Sequence, residues 1–263
     1  MTKQALCIGI NDYPGTQNDL AGCVNDANDW AAELGSRDFT TKTLIDAAAT
    51  HAGMTDAINS LIHFARSGDT VVITYSGHGT WLPDSSGDET DGRDEALCPY
   101  DIGTAGPLLD DEIHRMFGTR TAGVRIILIS DSCHSGSVTR GLEDDLDPGQ
   151  PRTRFMPLED WMPANELPSA NTRPAHLLGG LRRSGGDLLL AGCLDKQFSW
   201  DTSFRGRPNG AFTYYALKAL RESKPSTYEA WFKLIRNYLP STRLPQDPQI
   251  LGSATARRFK VFA

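Results

Sequence analysis

Four continuous apolar runs constrain this chain more than anything else in it: ALCIGI (5–10), DTVVITYSG (69–77), VRIILIS (124–130) and GDLLLAGC (186–193). Each is bounded by polar or glycine-containing turns. A strand that is apolar on both faces belongs in the middle of a parallel sheet covered on two sides. The segments between the runs have helical spacing. Residues 23–36 place Val24, Ala27, Trp30, Ala31 and Leu34 on one face. Residues 50–68 do the same with Met54, Ala57, Ile58, Leu61, Ile62 and Ala65, and Gly68 is read as the stop. Further helices are predicted around 109–117, 209–223 and 226–239, and a further strand over 40–46. Strands alternating with helices require right-handed crossovers, so the expected class is an α/β sandwich of three layers. No internal repeat is found.

At 263 residues and 39% hydrophobic content, the chain can bury a large core, and residues 1–263 are read as a single domain. The net charge of -7 gives nucleic acid or an anionic membrane no general attraction, so neither is expected as a partner. A cationic partner would be attracted. The N-terminal apolar run is too short for a signal peptide, and none of the runs approaches a membrane span. A cytoplasmic protein without an N-terminal prodomain is the expectation. The five cysteines lack CxxC pairing, which argues against a disulfide framework or structural zinc, and Cys7 and Cys193 read as core residues. Two stretches break the pattern. Residues 80–107 form an acidic, turn-rich insert, and 137–180 form a long loop studded with proline and arginine. Loops of that length are either functional or tolerated surface insertions.

In open α/β sheets, ligands sit beyond the carboxyl ends of the strands. Two such ends carry reactive side chains here, ITYSGHG with His78 and LISDSCHSG with Cys133. On neighbouring strands the two would come within hydrogen-bond reach. An imidazole can take the proton from a thiol that is otherwise mostly protonated at neutral pH. Gly77, Gly79 and Gly136 would let a substrate backbone approach and main-chain amides face a developing oxyanion. His134 points away from Cys133 by strand alternation and reads as a polar loop residue. His51, His63, His114 and His176 show no metal-ligand spacing. Asp131 lies two residues before Cys133, on the same side of an extended chain. It either pairs with a cation of the substrate or caps a turn or helix.

These residues resemble a known family. YSGHG followed by DSCHSGS is similar to the histidine and cysteine signatures of caspase-type peptidases, specifically metacaspases and their bacterial relatives, the orthocaspases. LCIGINDY, LAGCVNDANDWAAEL, GDETDGRDEALCPYD, GPLLDDEIH and QDPQILGS extend the likeness over most of the chain. The resemblance implies a caspase-like α/β/α sandwich around a mostly parallel sheet of roughly six strands. It also implies a cysteine endopeptidase cutting after arginine or lysine. His78 would be the base, Cys133 the nucleophile, and the amides of Gly79 and Cys133 the oxyanion donors. Cys23, Asp26, Ser76 and Asp131 would form the pocket for the basic side chain, and two carboxylates there suit a guanidinium.

The resemblance further implies calcium as an activator, on Asp88, Asp110 and Asp111, although no cofactor is required for the chemistry. Arg140 stands where the family commonly has another aspartate ligand, with Glu143, Asp144 and Asp145 as substitutes, and a solvated acidic surface is the alternative. The 137–180 segment lies where related enzymes are cut, and Arg140, Arg152, Arg154 and Arg173 are candidate sites of self-cleavage. Expected partners are protein or peptide substrates with Arg or Lys at the cut, and the expected state is a monomer. Two other functions compete: a non-catalytic caspase-fold domain that binds cationic peptide segments, and a nucleotide binder. No glycine-rich phosphate loop follows any strand, which disfavours the latter.

Overall fold

A computed structural model of the chain describes residues 1–83, 93–134, 151–168, 187–194 and 197–263. In chain order the first elements are β1 (Lys3–Gly9), α1 (Cys23–Gly35), β2 (Thr40–Ile45), α2 (His51–Phe64) and β3 (Thr70–Ser76). There follow β4 (Gly79–Pro83), β5 (Arg93–Leu97), α3 (Ile102–Ala105), β6 (Leu108–Leu109), α4 (Asp110–Gly118) and β7 (Arg125–Asp131). The remainder comprises β8 (Arg152–Thr153), β9 (Leu188–Ala191), β10 (Trp200–Phe204), β11 (Arg207–Gly210), α5 (Ala211–Ser223), α6 (Tyr228–Ile235), β12 (Gln249–Gly252) and α7 (Ala254–Arg257).

The apolar runs become the centre of a six-stranded sheet ordered β12-β9-β7-β3-β1-β2. All its pairings are parallel except β12 with β9 at one edge. Side chains alternate across it with period two. Leu6, Ile8, Val71, Ile73, Ile126 and Leu128 pack with Met54, Ile58 and Ile62 of α2 and Ile113 and Phe117 of α4. Ala5, Cys7, Val72, Ile127 and Ile129 pack on the opposite layer, with Trp30 of α1, Phe212 and Leu220 of α5 and Trp231 of α6. Two buried faces explain why these strands read as unbroken apolar runs. The order of strands turns back at β1, with β2 on one side and β3 on the other, so the ends of β1 and β3 flank a topological switch point and the end of β7 lies next to it.

Some boundaries differ from the expectation. Helix α2 ends at Phe64, and Ala65 turns to extended backbone (φ -70°, ψ 140°) that carries its methyl into the core. Gly68, at φ +92°, makes the following turn rather than stopping the helix. Asn209 and Gly210 belong to β11 and not to the helix after it. The acidic insert is not simply loop: β4, β5 and β6 form an antiparallel sheet of three short strands that buries Thr80 and Ala96. Strands this short leave little periodic signal. Within the long loop, residues 151–168 are described and carry β8, which pairs with β10, together with buried Phe155, Met156 and Leu158.

Candidate active site

Strands β3 and β7 are neighbours in register, with Ser76 opposite Asp131, so His78 and Cys133 both emerge two residues beyond the same end of the sheet. The turn after β3 is packed so closely that a Cβ on Gly77 would lie 2.6 Å from the Tyr75 hydroxyl. A Cβ on Gly79 would lie 2.0 Å from the Cys133 carbonyl oxygen, so only glycine lets these two turns touch. The His78 amide donates to the Tyr13 hydroxyl (2.8 Å), and the Tyr75 hydroxyl donates to the His78 carbonyl (2.6 Å). The Tyr13 ring packs 4.9 Å from the imidazole. His78 Nε2 lies 2.6 Å from the Asn18 carbonyl, which can only accept, so Nε2 carries the hydrogen and Nδ1 the lone pair. Nδ1 is buried without a hydrogen-bond partner among the described residues. Burial lowers the His78 pKa to about 4, against hydrogen bonding to the Asn18 carbonyl, so the ring is neutral at pH 7.

Two expectations are corrected here. The thiol and imidazole are not hydrogen-bonded: Cys133 Sγ contacts the Ser199 amide and lies 3.4 Å from the Ser199 carbonyl. Nor does an open crevice separate them, since His78 is 2% and Cys133 0% exposed. One feature accompanies both departures. The backbone of Arg154 lies against the imidazole, and its carbonyl accepts from the Gly79 and Cys133 amides, each at 3.0 Å. These are the amides expected to hold an oxyanion. The Arg154 amide donates to the Ser199 carbonyl (2.9 Å) and the Met156 amide to the Gly79 carbonyl (2.9 Å). The segment thus lies in the site as an added strand, in the manner of a bound peptide.

The Arg154 side chain is fully buried among carboxylates. Its Nη2 donates to Asp26 Oδ2 (2.7 Å) and Asp201 Oδ1 (3.0 Å). Its Nη1 donates to the Asp131 carbonyl (3.0 Å) and lies 3.3 Å from Asp131 Oδ2. Burial opposes the guanidinium charge, but Asp131, Asp26 and Asp201 outweigh it and hold the pKa well above the ordinary value. Burial also raises Asp26 to about 7, against the pull of Arg154, because one guanidinium cannot neutralise three buried acids.

The acids are fixed from behind. Asp26 accepts from Asn209 Nδ2 (2.8 Å) and the Gly210 amide (3.0 Å), and Asp201 accepts from the Ala21 (2.8 Å) and Gly22 (3.1 Å) amides. Asp131 accepts from the Thr213 amide (2.8 Å) in the first turn of α5 and from the Ser199 hydroxyl. Asp131 therefore caps the first turn of α5 and faces the guanidinium of this chain's own Arg154. Cys23 and Ser76 are buried beside this cluster but make no hydrogen bond to the guanidinium, and burial pushes the Cys23 thiol well up.

The calcium expectation is not assembled by the described residues. Asp88 lies outside them, as do Arg140, Glu143, Asp144 and Asp145. Asp110 and Asp111 start α4, and among the described residues no three His, Cys, Asp or Glu side chains come together to hold a metal. His134 sits apart from the sulfur, with Nδ1 3.1 Å from the Ala96 carbonyl. Of the candidate cut sites, Arg140 and Arg173 lie outside the described residues, and Arg152 Nη1 donates to the Asp19 carbonyl (2.8 Å).

Sequence reasoning missed Asp201, Ser199, Gly210, Tyr13 and Asn18. A Cβ at Gly210 would fall 2.2 Å from Asp131 Oδ2 and 2.5 Å from Arg154 Nη1, so the floor of the pocket needs glycine. The one available signal was NG immediately before a helical pattern, which can mark backbone serving a site as readily as a cap.

A mostly parallel six-stranded sheet flanked by helix layers, with an imidazole and a thiol at adjoining strand ends, is the caspase-like α/β class. Residues 3–140 match the family described as metacaspase, peptidase C14 domain, and the chain belongs to the metacaspase family. It is 32% identical to Metacaspase-1 of Cryptococcus neoformans over 95% of this chain and 62% of that protein. It is 30% identical to Metacaspase-1A of Aspergillus oryzae, over 95% of this chain and 67% of the relative. The chain thus spans about two thirds of the length of these relatives. A crystal structure of a protein from Geobacter sulfurreducens is similar at TM-score 0.74 and 30% identity, covering 100% of this chain and 99% of that one.

Proposed function

We propose that the chain is a cysteine endopeptidase that cuts polypeptides after arginine or lysine, and that it can cut itself between Arg154 and Phe155. The observation that carries this reading is the placement of Arg154, with its carbonyl on the Gly79 and Cys133 amides and its guanidinium among Asp26, Asp131 and Asp201. In the reaction, His78 Nδ1 takes the proton of the Cys133 thiol, and the sulfur attacks the carbonyl carbon on the amino side of the scissile bond. The oxyanion develops between the Gly79 and Cys133 amides. His78 returns the proton to the departing amine as the C–N bond breaks. Water, deprotonated by the same nitrogen, then hydrolyses the thioester and restores the thiol. The Asn18 carbonyl keeps Nδ1 free by holding the hydrogen on Nε2. Cys23, Asp26, Ser76 and Asp131 line the pocket for the basic residue, joined by Asp201.

No step is routed through a metal, and calcium on Asp88, Asp110 and Asp111 enters the proposal only as an activator. The five free cysteines suit a reducing cytoplasm. Edge strand β2 exposes Lys42, a charge that discourages pairing with a second copy and supports a monomer.

The test is turnover of fluorogenic peptides ending in arginine, lysine or aspartate, with and without calcium. Cleavage after arginine and lysine that is lost in Cys133→Ala supports the proposal. Preference for aspartate, or activity surviving Cys133→Ala, overturns it. One observation favours a second reading, a non-catalytic domain that binds cationic segments: Cys133 Sγ is held by Ser199 and not by His78. Binding of arginine peptides without any turnover would select that reading.

A further inference from the structure

We propose that a cavity on the opposite face of the sheet from the acidic pocket binds small organic ammonium ions with an apolar body, and that occupancy steadies the turn carrying Cys133. Alternation along β7 separates the two sites. Asp131 turns to Arg154 and the first turn of α5, whereas Leu128, Ser130 and Ser132 turn to the other face and line the cavity. Leu189, Ala191 and Cys193 join them from β9 and the residues just past it. Ile113 in the first turns of α4 and Leu97 of β5 close the space.

The chemistry of the lining defines the ligand. Leu97, Ile113, Leu128 and Leu189 give a buried apolar interior, and the buried Ser130 and Ser132 hydroxyls bond to each other (2.7 Å). Leu194, on the rim, leaves 38% of its surface in water, which an apolar body seated here would cover. The cavity offers about 40 Å³ to the centres of water-sized groups. Each such group needs about 10–15 Å³, so the space suits a branched body of about three or four carbon atoms. Half-buried Glu95 and Asp110 put two carboxylates at the rim. His134 lies there too, but burial lowers its pKa to about 4, so the ring is neutral at pH 7. No lysine or arginine lines the cavity among the described residues. An apolar interior under a negative rim fits an apolar group with a positive charge at one end.

The same cavity touches the turn that carries the nucleophile. Ser132 and His134 flank Cys133 in the chain, and both line the space. Cys193 Sγ lies 3.6 Å from the Ser132 carbonyl, and Cys193 shares an apolar cluster with Cys133. A body seated against Ser132, His134 and Cys193 therefore restricts this turn from behind, on the side away from the acidic pocket.

The experiment uses the full chain and isopentylammonium as the probe, with EDTA present so that calcium cannot compete at Asp110. Isopentyl alcohol and isocaproate are the neutral and anionic counterparts. Binding is detected by saturation-transfer NMR and located by the rate at which iodoacetamide alkylates each cysteine, with hydrogen exchange followed over residues 129–134. Isopentylammonium should bind, slow alkylation of Cys193 and slow exchange over 129–134, the alcohol should bind more weakly, and isocaproate should not bind. Glu95→Gln combined with Asp110→Asn should weaken the ammonium about tenfold, a few-fold for each half-exposed carboxylate, and leave the alcohol unchanged. Ala191→Leu, a filling substitution at a half-buried wall position, should weaken both and serves if the charge variant fails to fold. Equal binding of the three probes, binding that Ala191→Leu leaves unchanged, or protection of Cys23 beside the acidic pocket instead of Cys193 overturns the site. Cys193 protected with exchange over 129–134 unaltered overturns the effect on the nucleophile's turn. None of these readings depends on peptide turnover, so the cavity site and the peptidase reading fail separately.

Discussion

At the scale of single residues, the pocket is a problem of charge. Three carboxylates lie within 3.3 Å of one guanidinium with no exposed surface, so neutralising any one removes a charge-assisted contact to the bound arginine. The asymmetry of buried hydrogen bonding makes that costly, at roughly 1.5–3 kcal/mol for a contact to a charged group. Asp26→Asn, Asp131→Asn and Asp201→Asn should each lower the ratio of kcat/KM for an arginine peptide over a norleucine peptide by about ten- to a hundredfold. Occupancy by the chain's own strand cancels in that ratio. An unchanged ratio would leave these acids with only their helix-capping and loop-holding bonds. Gly210→Ala should abolish cleavage after arginine by filling the pocket floor, read in the same assay.

Asp26 and Asp131 were legible because a short spacing ties them to motifs that resemble a family. Asp201 was not: its bonds reach Ala21 and Gly22 across 180 and 179 positions, and nothing local marks it. The contact of Cys133 Sγ with Ser199 was equally invisible, because Ser199 lies 66 positions further along the chain.

At the scale of elements, strands are specified by burial on both faces, and helices by one apolar face plus their ends. Thr50 accepts from the Gly53 amide (3.0 Å) at the start of α2, and Thr227 accepts from the Ala230 amide (3.2 Å) at the start of α6. Thr50→Ala and Thr227→Ala should each cost about 1 kcal/mol, measured by urea unfolding, with no change in peptide specificity. Helix α5 is different, since its first turn is capped by Asp131 of the pocket. Asp131→Ala should therefore lower both arginine selectivity and stability, whereas the threonine variants change stability alone. The elements that sequence reading mistook for loop, β4, β5 and β8, have five, five and two residues. Periodicity cannot declare itself over so few positions.

At the scale of the whole molecule, stability should depend on pH through the imidazoles of buried His78 and half-buried His134. Burial lowers both His78 and His134 from 6.5 to about 4, so each stays neutral in the folded chain while the unfolded chain takes up protons. Their contribution is fully present above pH 6.5 and declines as pH falls toward 4, so the unfolding free energy should rise across that window. His134→Gln should flatten the slope in urea titrations at a series of pH values, and an unaltered slope would place the protons elsewhere.

The arrangement of layers was legible because paired apolar faces leave few alternatives. The closure of the site was not, because the strand that closes it comes from a segment rich in proline and arginine that carries no repeating pattern. The central claim, that Cys133 breaks the chain after an arginine held among carboxylates, is tested most directly by the mass of the denatured chain after incubation at neutral pH. Wild type should yield two fragments meeting between Arg154 and Phe155, and Cys133→Ala should stay whole. A break at another position, or the same break in Cys133→Ala, would contradict it.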